Sequence, residues 1–398
     1  MMDDDNDAPP LAEITRLIHD DGLELGGPVV PPVVQTSLFT FESYAALAAT
    51  FAGERRQPVY TRVDNPTVRA FEDKVAMLEG APAARAFASG MGAISAAVLA
   101  LVQAGDRVVC VRHVYPDAYR LFVKLLPRLG VEVEFVDGAD TGAVAKALPG
   151  ARLLYLESPT SLVFETQDLP ALAVLAREHR VATIADNSWA TPVFQKPLAQ
   201  GVDLVVHSAS KYLSGHSDTV AGIVAGRREL VDRINDLTFP YLGAKLAPFD
   251  AFLLLRGLRT LHLRMRRHQE SGLEVARWLA AHPLVTGVHH PGLREARSGL
   301  AGYASLFSLK FDAAVDIPRF CDGLRLFRLG VSWGGHESLA FPAMAGLQQT
   351  GGANAPAAFG VSPRLVRLHI GLEEPADLIA DLDRAIRLAT HDRQGENG

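Results

Sequence analysis

The sequence is poor in cysteine and has no excess of positive charge. Only two cysteines, Cys110 and Cys321, occur among 398 residues, and they lie far apart. This count excludes a disulfide framework and a paired metal-knuckle spacing, so we expect no structural metal and a reducing, cytoplasmic compartment. The formal net charge of -6 leaves no basic field that would attract nucleic acid or an acidic membrane surface.

No segment has the pattern of a secretory signal or an uninterrupted membrane span. The first ten residues are acidic and end in proline, which is the opposite of a basic signal region. Residues 86–105 carry no charge, but serine, glycine and glutamine interrupt the run, which predicts a buried helix of a protein core. These absences favour a protein that binds a small molecule, and we expect neither nucleic acid nor a membrane as a partner.

Short β-branched runs alternate with longer segments of helical spacing between residues 57 and 245. The predicted strands are Val108 to Val111, Val131 to Val136, Leu153 to Leu156, Val181 to Ala185 and Leu204 to Val206. The predicted helices are Tyr119 to Leu129, Thr141 to Leu148 and Leu169 to His179. Such alternation predicts a mainly parallel sheet with helices on both faces.

The pattern changes after residue 245. The predicted elements there are a long helix from Phe249 to Trp278, strands from Leu306 to Phe311 and from Leu365 to Gly371, an amphipathic helix from Leu378 to Leu388, and a loop from Gln349 to Ala358. We therefore predict an N-terminal arm over residues 1–56, a large domain over 57–245 and a smaller α+β domain over 246–398.

Reactive side chains follow three of the predicted strands. In a parallel sheet the carboxyl ends of the strands share one edge, so Glu157, Asp186 and Lys211 should converge. Partial desolvation of Lys211 would favour a nucleophilic amine, although a lysine after a strand also fits a solvated loop. Asp186 either caps the next helix or pairs with a buried cation such as a protonated pyridine nitrogen.

Two segments are candidates for holding a phosphate. Gly90 and Met91 open an apolar helix whose first amide groups and dipole suit an anion, although glycines at this point also fit close packing alone. The same glycines match a dinucleotide fingerprint incompletely, because the third glycine is missing. Tyr60 and Arg62 offer a hydroxyl and a guanidinium, ahead of an Asn-Pro-Thr segment that suits a helix cap.

A third group of candidates lies near the C-terminus. Arg367 interrupts an apolar strand pattern, which fits either an exposed edge strand or the capture of a substrate carboxylate. Ser332 and Trp333 precede a glycine pair, and the tryptophan fits a core position as well as a ligand contact.

Taken together and in this order, these segments resemble the Cys/Met-metabolism family of fold-type-I pyridoxal-phosphate (PLP) enzymes, from about Gly26 to Leu388. The resemblance implies an α/β fold with a mainly parallel, seven-stranded sheet in the large domain. Within the family, the cystathionine β-lyase branch is most similar. The segments that carry this likeness are Leu156-Glu-Ser-Pro-Thr-Ser161, Arg256-Gly-Leu-Arg-Thr260, Ser332-Trp-Gly-Gly and Arg367-Leu-His-Ile-Gly-Leu-Glu373.

The resemblance also implies roles for individual residues. Lys211 would form the Schiff base with PLP and carry protons, Asp186 would contact the ring nitrogen, and Tyr115 would stack on the ring as a second catalytic residue. The phosphate would be held by Gly90, Met91, Ser208 and Ser210, with Tyr60 and Arg62 reaching in from a neighbouring subunit. The substrate would be bound by Ser332, Trp333 and Arg367.

The expected reaction is β-elimination from cystathionine or a related cysteine S-conjugate, which yields pyruvate, ammonia and a thiol within methionine metabolism and transsulfuration. Ser161 and Trp333 favour this branch, whereas Pro116 and Asp117 make the loop after Tyr115 atypical. The alternatives are a γ-acting member (cystathionine γ-synthase, cystathionine γ-lyase, methionine γ-lyase or an O-acyl-homoserine sulfhydrylase) or a non-catalytic PLP-binding regulator. The resemblance further implies a homotetramer built from dimers with shared active sites.

Overall fold

A seven-stranded sheet forms the larger layer of the computed structural model, which describes residues 11–19, 28–294 and 299–390. Its strands are β1 (Ala83–Phe87), β2 (Arg107–Val111), β3 (Glu132–Val136), β4 (Leu153–Glu157), β5 (Ala182–Asp186), β6 (Leu204–His207) and β7 (Gly222–Gly226), in the order β1-β7-β6-β5-β4-β2-β3. Strands β2 to β6 pair in parallel, while β7 is antiparallel to both β1 and β6. The predicted, mainly parallel sheet is confirmed.

Helices cover both faces of this sheet. They are Pro66–Glu79, Gly90–Leu101, Pro116–Arg120, Thr141–Ala147, Leu169–Glu178, Thr191–Phe194, Arg228–Leu237 and Pro248–Leu258, preceded by Glu13–Ile18 and Tyr44–Phe51. The apolar helix Gly90–Leu101 is buried along most of its length, as the interrupted apolar run predicts. In the described part of the chain no helix is long and apolar enough to cross a membrane.

A five-stranded sheet forms the second, smaller domain. It contains β8 (Val285–His289), β9 (Leu306–Phe311), β10 (Arg328–Leu329), β11 (Leu339–Pro342) and β12 (Leu365–His369), in the order β10-β11-β12-β9-β8. Helices Leu261–Ala281, Ile317–Gly323, Ala343–Leu347, Ala355–Ala358 and Pro375–Leu388 accompany it. Strand β12 is central, so the exposed-edge interpretation of Arg367 is wrong. The exact domain boundaries stay a prediction.

The single helix predicted from Phe249 to Trp278 is two helices. The first ends at Leu258 and the second begins at Leu261, with Thr260 outside helical geometry at φ -106° and ψ 5°. Arg264 explains the break, because its guanidinium donates to the carbonyl oxygen of Gly257 at 2.8 Å and so satisfies the end of the first helix. A periodic apolar pattern does not reveal such a cap.

Three further differences separate the structure from the predicted elements. The helix predicted from Tyr119 to Leu129 is α-helical only from Pro116 to Arg120, and then changes to a π-turn and a 3-10 turn that contains Pro127, which has no N–H to donate. Strands β1 and β7 escaped prediction because three of the five residues in each are alanine or glycine, which are uncommon in strands. The expected loop from Gln349 to Ala358 ends in a short helix.

Candidate active site

A cavity of ≈ 750 Å³ lies at the carboxyl ends of the parallel strands, between the two sheets. Glu157, Asp186 and Lys211 line it, so the strand ends converge as predicted. The predicted site residues that share the cavity are Gly90, Met91, Tyr115, Asp186, Ser208, Ser210, Lys211, Ser332, Trp333 and Arg367.

Lys211 lies in the turn that follows β6. Its Nζ donates to Ser332 Oγ at 2.9 Å and lies 5.6 Å from the centre of the Trp333 ring. Burial lowers the pKa of Lys211 to about 8, Arg367 acts in the same direction, and Asp186 opposes both. The amine is therefore far more available as a nucleophile or base than an exposed lysine would be.

Asp186 ends β5 and faces the same cavity. One of its carboxylate oxygens accepts a hydrogen bond from the backbone N–H of Ser188 at 2.9 Å. Burial raises the pKa of Asp186, whereas the hydrogen bonds of Ser188 and the neighbouring His207 and Lys211 lower it. No helix cap uses this carboxylate in the described residues, so the second interpretation, pairing with a bound cation, gains support.

The start of helix Gly90–Leu101 meets Ser208 closely. A Cβ added at Gly90 would lie 2.9 Å from Ser208 Cβ, so only glycine permits this approach. Ser89 caps the helix through a 2.9 Å bond from Gly92 N–H, while the earlier amides of Gly90 and Met91 have no carbonyl in a preceding turn. Ser210 Oγ exchanges hydrogen bonds with the backbone of Ala221 at 2.9 and 3.1 Å.

Arg367 is buried in the middle of the second sheet. It donates to the carbonyl oxygens of Val331 and Ser332 at 2.7 and 3.3 Å, and its guanidinium lies 5.2 Å from the ring centre of Phe341. Burial lowers the pKa of Arg367 to about 10. No carboxylate of the described residues forms an ion pair with it, which leaves a buried positive charge facing the cavity.

Tyr115 also lines the cavity, at the start of helix Pro116–Arg120. Its backbone N–H donates to Glu157 Oε2 at 2.7 Å, and its hydroxyl bonds Asp117 Oδ2 at 2.9 Å. Burial and the charge of Asp186 raise the pKa of Glu157 well above its ordinary value. The buried Glu157 thus fixes the backbone from which the Tyr115 ring enters the cavity.

Tyr60 and Arg62 do not join the other candidates. Neither lines the cavity, and 47% of Tyr60 is exposed. Arg62 donates to the carbonyl oxygen of Pro240 at 3.1 Å instead. The neighbouring Asn65 accepts from Thr67 N–H at 3.0 Å and caps helix Pro66–Glu79, as the cap interpretation of that segment predicts.

Sequence reasoning missed Arg120, Phe164, Trp189 and Gln349, which also line the cavity. Pro116 is typical of a helix start, and a helix beginning there brings Arg120 round to the side of Tyr115 one turn later. This spacing is the signal that could have identified Arg120. Phe164, Trp189 and Gln349 enter the cavity from loops, and no local sequence pattern marks them.

Comparison with known proteins identifies the family. Residues 15–387 match the family described as Cys/Met metabolism PLP-dependent enzyme. The chain belongs to this family. L-methionine gamma-lyase of Pseudomonas putida is 40% identical over 388 residues, which cover 94% of this chain and 96% of the relative. A putative cystathionine beta-lyase of Rhizobium johnstonii (strain DSM 114642 / LMG 32736 / 3841) is 37% identical over 396 residues, with 94% and 96% covered.

Solved structures of the family share the fold. Cystathionine gamma synthase from Xanthomonas oryzae pv. oryzae, in complex with cystathionine, superposes with a TM-score of 0.89 at 35% identity, covering 96% of this chain and 99% of that one. The fold-type-I architecture with PLP as cofactor, expected from the sequence, is therefore confirmed.

The residues around the cavity of this Cys/Met-metabolism enzyme fit PLP. The cofactor has an aldehyde, a basic ring nitrogen and a phosphate, and the cavity offers an amine, a carboxylate and a helix start flanked by hydroxyl groups. Lys211, Asp186 and the Gly90–Ser208 contact supply these three partners. A phosphate bound at Ser210 would replace one of the two hydrogen bonds between Ser210 Oγ and the Ala221 backbone.

We predict that the rate at which the PLP-free enzyme captures PLP covalently rises with pH through a midpoint near 8, because only the neutral Lys211 amine reacts. Arg367→Met removes a positive charge and should move the midpoint up, whereas Asp186→Asn should move it down. Stopped-flow absorbance of the bound cofactor measures both. Arg107→Met, which alters an ion pair with Glu134, is the control and should leave the midpoint unchanged. A wild-type midpoint near the ordinary lysine value would contradict this account.

Proposed function

We propose that this enzyme is a γ-acting member of the family that cleaves the bond at Cγ of a methionine-like or homoserine-derived amino acid. The expected β-elimination from cystathionine is thereby replaced by its stated alternative. The similarity to methionine γ-lyases and to a cystathionine γ-synthase supports this choice. The observation that carries it is the position of the Lys211 amine, partly desolvated beside a buried arginine in a roomy cavity.

Arg367 and the Ser332 loop would bind the substrate α-carboxylate. The buried guanidinium has no acidic partner among the described residues, so a carboxylate would compensate its charge. A substrate bound in this way would have its Cα near Lys211, because Lys211 Nζ donates directly to Ser332 Oγ. PLP would supply an electron sink for the bonds at Cα, and Asp186 would hold a proton on its ring nitrogen.

Lys211 would carry the protons. Elimination at Cγ needs two removals, first from Cα and then from Cβ, whereas elimination at Cβ needs only the first. The hydrogen bond of Nζ goes to a hydroxyl and not to a carboxylate, so breaking it to move along the substrate costs little. An amine with a pKa of about 8 both accepts and returns protons near neutral pH.

One observation favours β-elimination as the second candidate. The Trp333 ring lies 5.6 Å from Lys211 Nζ and packs 5.4 Å from the Tyr212 ring, so it narrows the space beside the carboxylate site. A bulky ring there would favour the reaction with fewer steps. The similarity to a putative cystathionine beta-lyase supports the same candidate.

We further propose that active sites are shared between subunits, with dimers pairing into a homotetramer. Tyr60 and Arg62 lie outside the cavity of their own chain and are exposed, which suits a contribution to a neighbouring site. Both cysteines are free and buried, which agrees with the proposed cytoplasmic compartment.

The product assay decides between the two reactions. Incubated with L-methionine, L-cystathionine, or O-succinyl-L-homoserine plus cysteine, the enzyme should form predominantly 2-oxobutyrate, or cystathionine by replacement at Cγ, as identified by mass spectrometry. Trp333→Leu should then leave the product unchanged. Predominant pyruvate from cystathionine would overturn the γ assignment, and a shift from pyruvate toward 2-oxobutyrate in Trp333→Leu would assign the selectivity to that ring.

Complementation tests the shared site. Arg62→Ala and Lys211→Ala should each be inactive, whereas co-refolded mixtures should regain about a quarter of the wild-type sites, because each mixed dimer forms one intact site. Mixing Lys211→Ala with Asp186→Asn is the matched control. Both residues line the cavity of the same chain, so each site of a mixed dimer keeps one altered residue and no intact site should form. Equal recovery in both mixtures would show that Arg62 does not reach across.

A further inference from the structure

A chain of polar contacts lines one part of the cavity. The Tyr115 hydroxyl lies 2.9 Å from Asp117 Oδ2, and Arg120 bonds the other carboxylate oxygen, Oδ1. The second amino group of Arg120 donates to Gln349 Oε1, which comes from the smaller domain. All four side chains line the cavity.

The local sequence dictates this arrangement. Pro116 occupies the first position of helix Pro116–Arg120, where its fixed φ and missing N–H are tolerated. Tyr115 therefore lies just outside the helix and Asp117 just inside, which brings their side chains into contact. Arg120 follows Asp117 by three residues and so lies on the same helical face.

The partners of Asp117 determine where the phenol proton lies. The guanidinium of Arg120 donates to Asp117 Oδ1, and a carboxylate in such an ion pair offers only acceptor oxygens. The Tyr115 hydroxyl must therefore be the donor, and its hydrogen points at Asp117 Oδ2. Only the lone pairs of the phenol oxygen remain for a bound substrate.

We propose that Asp117 is a positioning residue that keeps Tyr115 protonated and turned away from the substrate, so that Lys211 is the base of the site. Tyr115 then stacks and accepts hydrogen bonds but does not remove protons. The inference rests on the proposed function only in taking Lys211 as the proton carrier, and it holds for elimination at either carbon.

The charges around Tyr115 support this assignment. Asp117 and Arg120 face it from its own helix, Glu157 and Asp186 from strands β4 and β5, and Arg367 from β12. Burial raises the pKa of Tyr115 well above its usual range, the charge and hydrogen bond of Asp117 raise it further, and Arg120 opposes them. Since the pKa of Lys211 falls to about 8, the lysine loses its proton long before the tyrosine.

The test is to titrate Tyr115 directly in the PLP-loaded enzyme. Replacing all eight tyrosines with 3,5-difluorotyrosine makes every phenol more acidic, and the ¹⁹F resonance of Tyr115 is the one lost in Tyr115→Phe. Asp117→Asn keeps the shape but removes the charge, so the midpoint of Tyr115 should fall by about one pH unit or more. Arg120→Met leaves Asp117 uncompensated, so the midpoint should rise.

Opposite shifts in the two variants support the proposal. A merely structural role would loosen the helix in both variants and move both midpoints in the same direction, toward the solvent value. Equal signs, or no shift in Asp117→Asn, would overturn the inference. The titration does not depend on product identity, so a failed γ assignment and a failed role of Asp117 give separate results.

Discussion

The desolvation of Lys211 is the constraint on which the rest of the site depends. An ammonium group in water stays protonated near neutral pH. Burial and a neighbouring positive charge lower the pKa of Lys211 to about 8, so that the neutral amine becomes available. Arg367 supplies that charge from the second sheet, and Asp186, from the first sheet, acts in the opposite direction and raises the pKa of Lys211. The chemistry therefore requires both sheets to meet at one point.

Backbone contacts create that meeting point. Gly334, at φ 87°, brings the loop after Trp333 so close to the lysine turn that a Cβ would lie 2.7 Å from the backbone nitrogen of Tyr212. The N–H of Gly334 donates to His369 Nε2 at 3.1 Å, which ties this loop to strand β12. From the other side, Arg264 donates to the carbonyl oxygen of Tyr212 at 2.6 Å. The lysine turn is thus held between a buried arginine and a glycine loop.

The sequence was sufficient to predict the features that follow from period and position. The strand ends at Glu157, Asp186 and Lys211 converge because parallel strands share one edge, and Arg367 stands out because an arginine rarely interrupts a buried strand. The break at Thr260 and the tie between Arg120 and Gln349 could not be predicted, because each depends on a contact between segments that no local pattern connects. The local sequence favoured chemistry at Cβ through Trp333, whereas the proposed chemistry at Cγ is supported by similarity along the whole chain to methionine γ-lyases, which no single residue carries.

The central claim is that Lys211, facing Asp186, holds the cofactor. It is tested most directly by reducing the PLP-loaded enzyme with borohydride, digesting it, and locating the added pyridoxyl mass by tandem mass spectrometry. We expect the mass on the peptide containing Ser208 to Lys211, and no added mass in Lys211→Ala. A pyridoxyl group on any other lysine of the wild-type enzyme would contradict the account.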